Sequence, residues 1–235
     1  MGTRIKQGAR LYIGKHPRLF FGAYSVRTRY RDLLVNAETQ IVIEGFPRSG
    51  NTFAVFAFRH AQGRDVRIAH HLHAPAQVTR AVERGVPTVV LVRDPLEAVP
   101  SLMLRDPRFS MDLALRYYVS FYEAVAEHRD GYVLATFEDV TRDYGAVLER
   151  VNARFNTGFA PFEHTEDSVA RVFSLIEESH RAKRRNKVVE EEIAIPSAAK
   201  SAPKGELKGR LWSPEFEPLT RRARAAYDNL VLPSL

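Results

Sequence analysis

The sequence contains no cysteine, and this absence excludes several kinds of chemistry. A chain without thiols forms no disulfide bond, no thiolate metal site and no cysteine nucleophile. The sequence also lacks any apolar run approaching the roughly 20 residues of a transmembrane helix. At the basic N-terminus, the charged residues around Pro17 interrupt the apolar positions before a signal-peptide core forms. We therefore expect a cytoplasmic protein.

Acidic residues are few relative to basic ones. The chain has 28 Asp and Glu against 35 Lys and Arg, a formal net charge of +7. Such an excess favours an anionic ligand, a nucleic acid or an acidic membrane surface, and charge alone does not choose among them.

Length and composition predict a single globular domain. With 235 residues, of which 45% are hydrophobic, the chain can bury a full core. We expect one domain over residues 1–235, with a basic and aromatic N-terminal segment at 1–40. Residues 187–210 mix Pro, Ser, Ala, Gly and charged side chains without a period, which predicts a mobile loop within that domain.

Apolar segments typical of strands alternate with segments of helical spacing. This order indicates an α/β domain with a P-loop-like fold, in which helices flank a central, mostly parallel sheet. We predict strands at 41–45, 66–69, 87–92 and 132–137, and helices at 52–61, 75–84, 96–104, 111–129, 168–185 and 214–230. Asp139 is expected to cap a further helix that runs through Phe155.

The first predicted strand runs into a glycine-bounded turn that is typical of a phosphate site. The turn reads Gly45-Phe46-Pro47-Arg48-Ser49-Gly50-Asn51-Thr52. It nearly matches the nucleotide-binding pattern G-x-x-x-x-G-K-[ST], but Asn51 stands in the place of the lysine and Arg48 supplies the cation. The helix after such a turn directs backbone N–H groups and its positive dipole end at an anion. The sequence therefore predicts an anion site here and weakens the case for ATP hydrolysis.

Two other strand ends carry polar side chains that we expect at the same edge of the sheet. Arg93 follows the strand at 87–92, and Ser101 comes eight residues later, on the second turn of a helix, so that both can touch one phosphate. Three histidines, His70, His71 and His73, follow the second strand. Imidazoles at this position are suited to proton transfer near neutral pH.

Several of these segments resemble the PAPS-dependent sulfotransferases. Residues 46–52 are similar to the 5′-phosphosulfate loop of that family, and Arg93 through Ser101 is similar to its 3′-phosphate element, with the same spacing. His71-Leu72 resembles part of the segment that carries the catalytic base, and residues 136–140 resemble a Tyr-Glu-Asp-Leu element. The matches span about residues 41–140, in the family's order. The family's C-terminal Arg-Lys-Gly has a loose counterpart at 203–205.

The resemblance implies transfer of a sulfuryl group from 3′-phosphoadenosine 5′-phosphosulfate (PAPS) to a hydroxyl or amine acceptor, without a metal. Arg48, with Pro47, Ser49, Gly50, Asn51 and Thr52, would then hold the 5′-phosphosulfate. Arg93 and Ser101 would hold the 3′-phosphate, and Lys204 and Arg210 would add C-terminal contacts to the donor. His71 would be the catalytic base, with His73 as a close competitor and His70 as a third candidate.

Two other classes of protein stay open on the sequence. One is an ATP-dependent P-loop phosphotransferase, against which Asn51 argues because that chemistry normally uses a loop lysine and Mg²⁺. The other is a non-catalytic polyanion-binding module, motivated by the net charge, although no nucleic-acid-binding motif is present and we expect no nucleic-acid partner. The acceptor, whether a small molecule, a saccharide or a lipid, and the oligomeric state stay open. Basic and apolar residues at 10–31 predict a peripheral membrane contact.

Overall fold

The computed structural model describes residues 2–184 and 201–232. Within them, four strands form one sheet: β1 (Ile41–Gly45), β2 (Ile68–His70), β3 (Thr88–Val92) and β4 (Val133–Thr136). The α-helices are α1 (Gly2–Lys15), α2 (Pro17–Ser25), α3 (Asn51–Gln62), α4 (Pro75–Glu83), α5 (Pro95–Arg105), α6 (Met111–Ala126), α7 (Phe137–Arg142), α8 (Tyr144–Phe155), α9 (Glu166–Arg184), α10 (Ser201–Leu211) and α11 (Glu217–Val231). Two 3₁₀ turns lie at Thr28–Leu33 and Arg129–Gly131.

The sheet has the order β2-β1-β3-β4, and every neighbouring pair is parallel. The predicted α/β fold is confirmed, and the described strands are parallel throughout. Because the chain passes from β1 to β2 on one side and from β3 to β4 on the other, the connections that follow the neighbouring strands β1 and β3 run in opposite directions. In sheets of this kind, that reversal opens a crevice at the carboxyl end of the central strand.

Both faces of the sheet are covered by helices. Ile41 and Ile43 of β1 pack into one apolar layer with residues of α3, α8 and α9, such as Phe58. On the opposite face, Val90 and Val92 pack against α5, α6 and α11. Burial on both faces explains why the strands read as continuous apolar runs rather than as alternating ones.

The helix that was expected to start at Asp139 is two helices, and the predicted cap is wrong. Thr136 is the N-cap of α7: its hydroxyl accepts a hydrogen bond from the Asp139 N–H at 3.0 Å, and the Asp139 carboxylate accepts one from the Thr136 N–H at 2.9 Å. Asp143 then starts α8 by accepting from the Ala146 N–H. Each cap satisfies a free N–H at its own helix start, so the chain bends between α7 and α8.

The prediction of a mobile loop at 187–210 is wrong for residues 201–210, which belong to α10, while 187–200 lie outside the described residues. The helix packs along α5 and ends at the fully buried Leu211. Its sequence conceals the helix because Gly205 and Gly209 weaken the periodicity, whereas Pro203 is compatible with a first helical turn.

The N-terminal segment folds onto the same domain. Phe20 and Phe21 of α2 are buried, and the Arg80 guanidinium lies 3.2 Å from the centroid of the Phe21 ring. In the two described stretches of the chain, we find no helix with both the length and the apolar character needed to cross a bilayer.

Candidate functional site

The turn between β1 and α3 is held in shape by close backbone approaches. Gly45 packs so tightly against β3 that a Cβ there would lie 2.3 Å from the Leu91 carbonyl oxygen. Gly50, the N-cap of α3, has a φ of 91°, in the left-handed region that favours glycine. Both glycines of the motif are therefore required by the backbone geometry of the turn.

Two side chains of the turn bind the protein's own groups. The Asn51 amide nitrogen donates to the Phe46 carbonyl at 3.0 Å, which closes the turn on itself. The Ser49 hydroxyl lies 3.2 Å from the Tyr122 hydroxyl, which itself donates to the Leu91 carbonyl at 2.8 Å and accepts from the Phe46 N–H. Asn51, in the position of the P-loop lysine, thus stabilises the turn from inside.

Arg48 brings a charged group to the turn. Its Nε donates to the Ser101 hydroxyl of α5 at 3.0 Å, and its own backbone has a left-handed φ of 74°. Burial, together with the nearby charges of Arg105 and Arg93, lowers the pKa of Arg48 to about 10. The guanidinium therefore stays protonated at neutral pH. Its surroundings disfavour the positive charge, and a bound anion would offset that cost.

Arg93, at the end of β3, is fixed against the same turn. Its Nη1 donates to the Arg48 carbonyl at 3.1 Å, and its guanidinium lies 3.8 Å from the centroid of the Phe137 ring. The next residue, Asp94, caps α5 and accepts from Arg224 of α11 at 2.6 Å. Arg48, Arg93 and Ser101 therefore lie together, as the sequence predicted, although Ser101 bonds to Arg48 rather than to Arg93.

A second cationic cluster surrounds Glu97, which the sequence analysis did not single out. The Lys204 ammonium lies 2.5 Å from one carboxylate oxygen, Arg93 Nη2 lies 3.8 Å from the same oxygen, and Lys208 bonds to the other. Although partial burial raises the pKa of Glu97, hydrogen bonds from the two lysines hold it below its usual range. A carboxylate one helical turn after Arg93 was the available signal.

The two C-terminal candidates therefore have different surroundings. Lys204 joins Arg93 at the Glu97 carboxylate, whereas Arg210 is exposed near the end of α10. In the described part of the chain, no side-chain hydrogen bond joins Arg210 to the β1–α3 turn. The predicted contact of Arg210 with a donor stays a prediction.

His71 contacts the first turn of α3. Its Nε2 lies 3.1 Å from the Thr52 hydroxyl, and its Nδ1 lies 2.6 Å from Nδ1 of His70. Nε2 of His70 lies 3.2 Å from Nη2 of Arg59. Because arginine only donates, His70 Nε2 accepts, and a neutral His70 then carries its proton on Nδ1 and donates it to His71. A neutral His71 in this arrangement carries its proton on Nε2 and donates to Thr52.

His73 is enclosed beside β1. Its Nδ1 donates to the Gly45 carbonyl at 2.8 Å, and burial lowers the pKa of His73 to about 4. The ring is therefore neutral at pH 7, with its lone pair on Nε2. A histidine with so low a pKa is a weaker proton acceptor than one near 6.5.

A buried carboxylate beneath this loop was missed by the sequence analysis. Glu44 of β1 is fully buried and accepts from the backbone N–H groups of Leu72 at 2.9 Å and His73 at 3.0 Å. Burial raises the pKa of Glu44 to about 7, and these hydrogen bonds oppose the rise. His71 and His73 both have left-handed backbones, with φ of 59° and 50°, and Glu44 helps to hold the loop in that unusual shape.

A narrow cleft beside His73 has aromatic walls. It is lined by Phe20 and Tyr24 of α2, Tyr117 and Phe121 of α6, and Arg10 of α1. The Tyr117 hydroxyl donates to the His73 carbonyl at 2.6 Å, so the cleft wall and the histidine loop are joined. Within residues 2–184 and 201–232, no three His, Asp or Glu side chains form a set that could hold a metal ion.

Comparison with known proteins addresses the fold. No family model and no curated protein matches the chain. Among solved structures, the chain is similar to mouse sulfotransferase SULT7A1, which was crystallised in complex with PAP. The similarity covers 85% of this chain and 88% of the mouse protein, with a TM-score of 0.50 and 12% sequence identity. At 12% identity, the similarity shows the fold of this chain and says nothing of its substrate or reaction. The chain has the sulfotransferase fold.

Proposed function

We propose that this protein transfers a sulfuryl group from PAPS to a hydroxyl or amine acceptor. The observation that carries the proposal is the junction of two cationic elements at one sheet edge: Arg48 donates to Ser101 at 3.0 Å, and Arg93 donates to the Arg48 carbonyl at 3.1 Å. PAPS has two separate anionic ends, and an enzyme that uses it needs two neighbouring anion sites. The structurally similar mouse enzyme was crystallised with PAP, which is consistent with such a donor.

The residues fit the donor by the chemistry of their groups. Arg48 and the start of α3 supply positive charge for the 5′-phosphosulfate, and this charge would stabilise the negative charge that develops on the leaving phosphate during transfer. Arg93 and Lys204 supply a second cationic group for the 3′-phosphate, which ATP lacks. Asn51 stands where a P-loop has the lysine that binds the β- and γ-phosphates, and its side chain bonds to the Phe46 carbonyl instead. We therefore prefer PAPS to a nucleoside triphosphate.

His71 is the proposed base. The acceptor oxygen forms a bond to sulfur while the bond from sulfur to the leaving phosphate oxygen breaks, and the acceptor proton passes to Nε2 of His71. For Nε2 to accept, His71 must carry its own proton on Nδ1, which faces His70 at 2.6 Å. In that arrangement His70 carries its own proton on Nε2, so the hydrogen bond from Arg59 described above must break, and its free Nδ1 can then take the proton from Nδ1 of His71 after transfer.

The acceptor is proposed to enter at the aromatic cleft beside His73, which leaves room for only about 10 Å³, so its walls must move apart to admit an acceptor. Its walls combine Phe20, Tyr24, Tyr117 and Phe121 with a single guanidinium, that of Arg10, among the lining residues. Such a lining suits an apolar or aromatic alcohol better than a saccharide, whose hydroxyls need many polar partners.

Calorimetric titration with PAP (3′,5′-adenosine bisphosphate), beside AMP and Mg-ATP, tests the donor site without knowledge of the acceptor. We expect tight binding of PAP that requires the 3′-phosphate and is lost in Arg93→Ala. The matched control is Arg116→Ala, because Arg116 is exposed and pairs only locally with Asp112. Preference for Mg-ATP would support a phosphotransferase instead, and absence of nucleotide binding would leave a non-catalytic polyanion-binding module.

A further inference from the structure

The positive charge of this protein is concentrated at its N-terminus. Residues 1–31 contain eight Lys and Arg and no Asp or Glu, so the remaining 204 residues carry 27 basic and 28 acidic side chains, a formal charge of −1. Six of the eight cations have described side chains, and all six are exposed: Arg10, Lys15, Arg18, Arg27, Arg29 and Arg31. The net charge is therefore a property of one segment.

The same segment exposes large apolar side chains. Tyr12 is 62% exposed, Leu19 50% and Val26 79%. Among the described residues, only Trp212 and Leu232 are further exposed side chains of this kind. Leu19 of α2 and Val26, the C-cap residue that follows the helix with a helical backbone, are seven residues apart, with Arg18 and Arg27 directly beside them in the sequence. We call Tyr12, Leu19, Val26 and the six cations the N-terminal patch.

The apolar residues of the patch are in addition to those that fold α2 onto the domain. Phe20 and Phe21 are buried in the core, and the Tyr24 ring stacks on Phe20 at a centroid distance of 4.4 Å. The helix thus packs one apolar face inward, while Leu19 on the helix and Val26 at its C-cap face solvent. Exposed aliphatic side chains on a surface helix mark an interaction site when they are grouped with charges of one sign.

We propose that the N-terminal patch binds an anionic lipid surface. Lys and Arg side chains are attracted to anionic headgroups, and neighbouring aliphatic and tyrosine side chains enter the boundary between headgroups and acyl chains. A nucleic acid matches the cations but gains little from exposed Leu19 and Val26, because its contacts are mainly to phosphates and base faces. A bilayer accounts for both parts of the patch.

Docking in this way brings the aromatic cleft close to the lipid surface. Arg10 and Leu11 of α1, with Phe20 and Tyr24 of α2, form one wall of that cleft. The position of the cleft at the lipid surface points to an alcohol dissolved in the membrane as the acceptor. This inference about the acceptor rests on the proposed sulfotransferase activity. The docking itself does not depend on that activity.

Vesicle flotation of the full chain tests the docking. We expect the protein to float with vesicles of phosphatidylcholine and phosphatidylglycerol, to stay behind with phosphatidylcholine alone, and to bind less as salt is raised. Arg18→Glu with Arg31→Glu should weaken binding about tenfold or more, since neither side chain has a partner among the described hydrogen bonds and ion pairs. The matched control, Arg129→Glu with Arg154→Glu, makes the same charge change beside β4 and should float like the wild type.

A separate variant tests the apolar residues of the N-terminal patch. Leu19→Ser with Val26→Ser should weaken flotation about tenfold while keeping its salt dependence, and Leu232→Ser, an exposed leucine elsewhere, should not. Each variant must keep the wild-type melting temperature and PAP affinity, so a fold or donor-site failure is distinguished from a docking failure. Equal flotation of all variants, or no flotation of the wild type, overturns the proposal. If the wild type binds a single-stranded DNA 20-mer but no vesicles, and the Arg18→Glu, Arg31→Glu variant loses the DNA binding, the patch is a nucleic-acid surface instead.

Discussion

The Thr52 hydroxyl lies 3.1 Å from Nε2 of His71 and thereby joins the first turn of α3 to the histidine loop that follows β2. The two residues are 19 positions apart, and the contact brings the proposed base to the helix that follows the β1–α3 turn. A ligand held by that turn is consequently within reach of a proton acceptor. The contact is the basis for the expected effects of replacing His71 and His70.

Arg48→Ala should lower kcat by about 10²–10³, because the variant loses the charge that stabilises the leaving phosphate. Arg48→Lys should retain part of the activity, since it keeps the charge but loses the Nε contact to Ser101. Steady-state kinetics at saturating PAPS measures both, with Arg116→Ala as the control. Near-normal turnover of the alanine variant would remove Arg48 from the chemistry.

His71→Ala should abolish transfer and leave PAP affinity unchanged. His73→Ala should cost stability more than rate, because the His73 ring holds the Gly45 carbonyl and its pKa near 4 makes it a weak base. His60→Ala, an exposed histidine on α3, is the control. Activity lost in the His73 variant but kept in the His71 variant would reverse the assignment, and activity kept in both would place the base elsewhere.

His70→Ala should reduce kcat about tenfold and change its pH profile, since the imidazole that exchanges protons with His71 is removed. PAP affinity and KM for the acceptor should stay close to the wild-type values. A reduced rate with an unaltered pH profile would mean that His70 only supports the loop. The pH dependence of kcat in the wild type and the variant decides between these roles.

Glu44 and His73 should give opposite pH dependences to folding stability. The folded pKa of Glu44 is raised from 4.5 to about 7, so its contribution is present below pH 4.5 and is lost as pH rises to 7. The folded pKa of His73 is lowered from 6.5 to about 4, so its contribution is present above pH 6.5 and is lost as pH falls to 4. Between pH 4.5 and 6.5 the two slopes oppose each other.

Replacing either Glu44 or His73 should leave the pH dependence of folding stability that the other residue contributes. Glu44→Gln should lose stability as pH falls from 6.5 to 4, by about 3 kcal/mol at most, whereas His73→Asn should lose it as pH rises from 4.5 to 7. Urea unfolding at five pH values measures this, and Glu38→Gln, an exposed acid, is the control. Parallel curves for the two variants would show that neither group titrates as assigned.

Glu97→Gln should tighten PAP binding about threefold to tenfold, because the carboxylate competes with a phosphate for Arg93, Lys204 and Lys208. Lys204→Ala should weaken it. Glu123→Gln, which removes an exposed acid paired with Arg222, is the matched control. Calorimetry with PAP gives the affinities, and weaker binding by the Glu97 variant would mean that this carboxylate positions the cations instead of competing for them.

The candidate site was predicted from features that are local in the chain. The turn at 45–52 and the spacing from Arg93 to Ser101 depend on neighbouring residues, so the carboxyl ends of β1 and β3 could be identified in advance. The pairings between them could not: the bond from Arg48 to Ser101 spans 53 positions and depends on how α5 packs.

Other parts of the site were beyond sequence reasoning because they depend on burial. Glu44 looks like an ordinary polar residue at a strand end, and only the loop over it makes it a buried acceptor for two N–H groups. Lys208 of α10 belongs to the candidate site only because it bonds to Glu97, about 110 positions away in the chain. The assigned roles of these residues, and the cytoplasmic location, stay predictions.

The Tyr122 hydroxyl connects Phe46, Ser49 and Leu91 at one point beneath the β1–α3 turn. Because these bonds lie within the core, the turn acquires its shape when the protein folds and not when a ligand arrives. The entropy of ordering the turn is thus lost during folding, and association with a donor needs little further restriction there. Slow amide exchange at Phe46 in the ligand-free protein is the expected signature of this preorganisation.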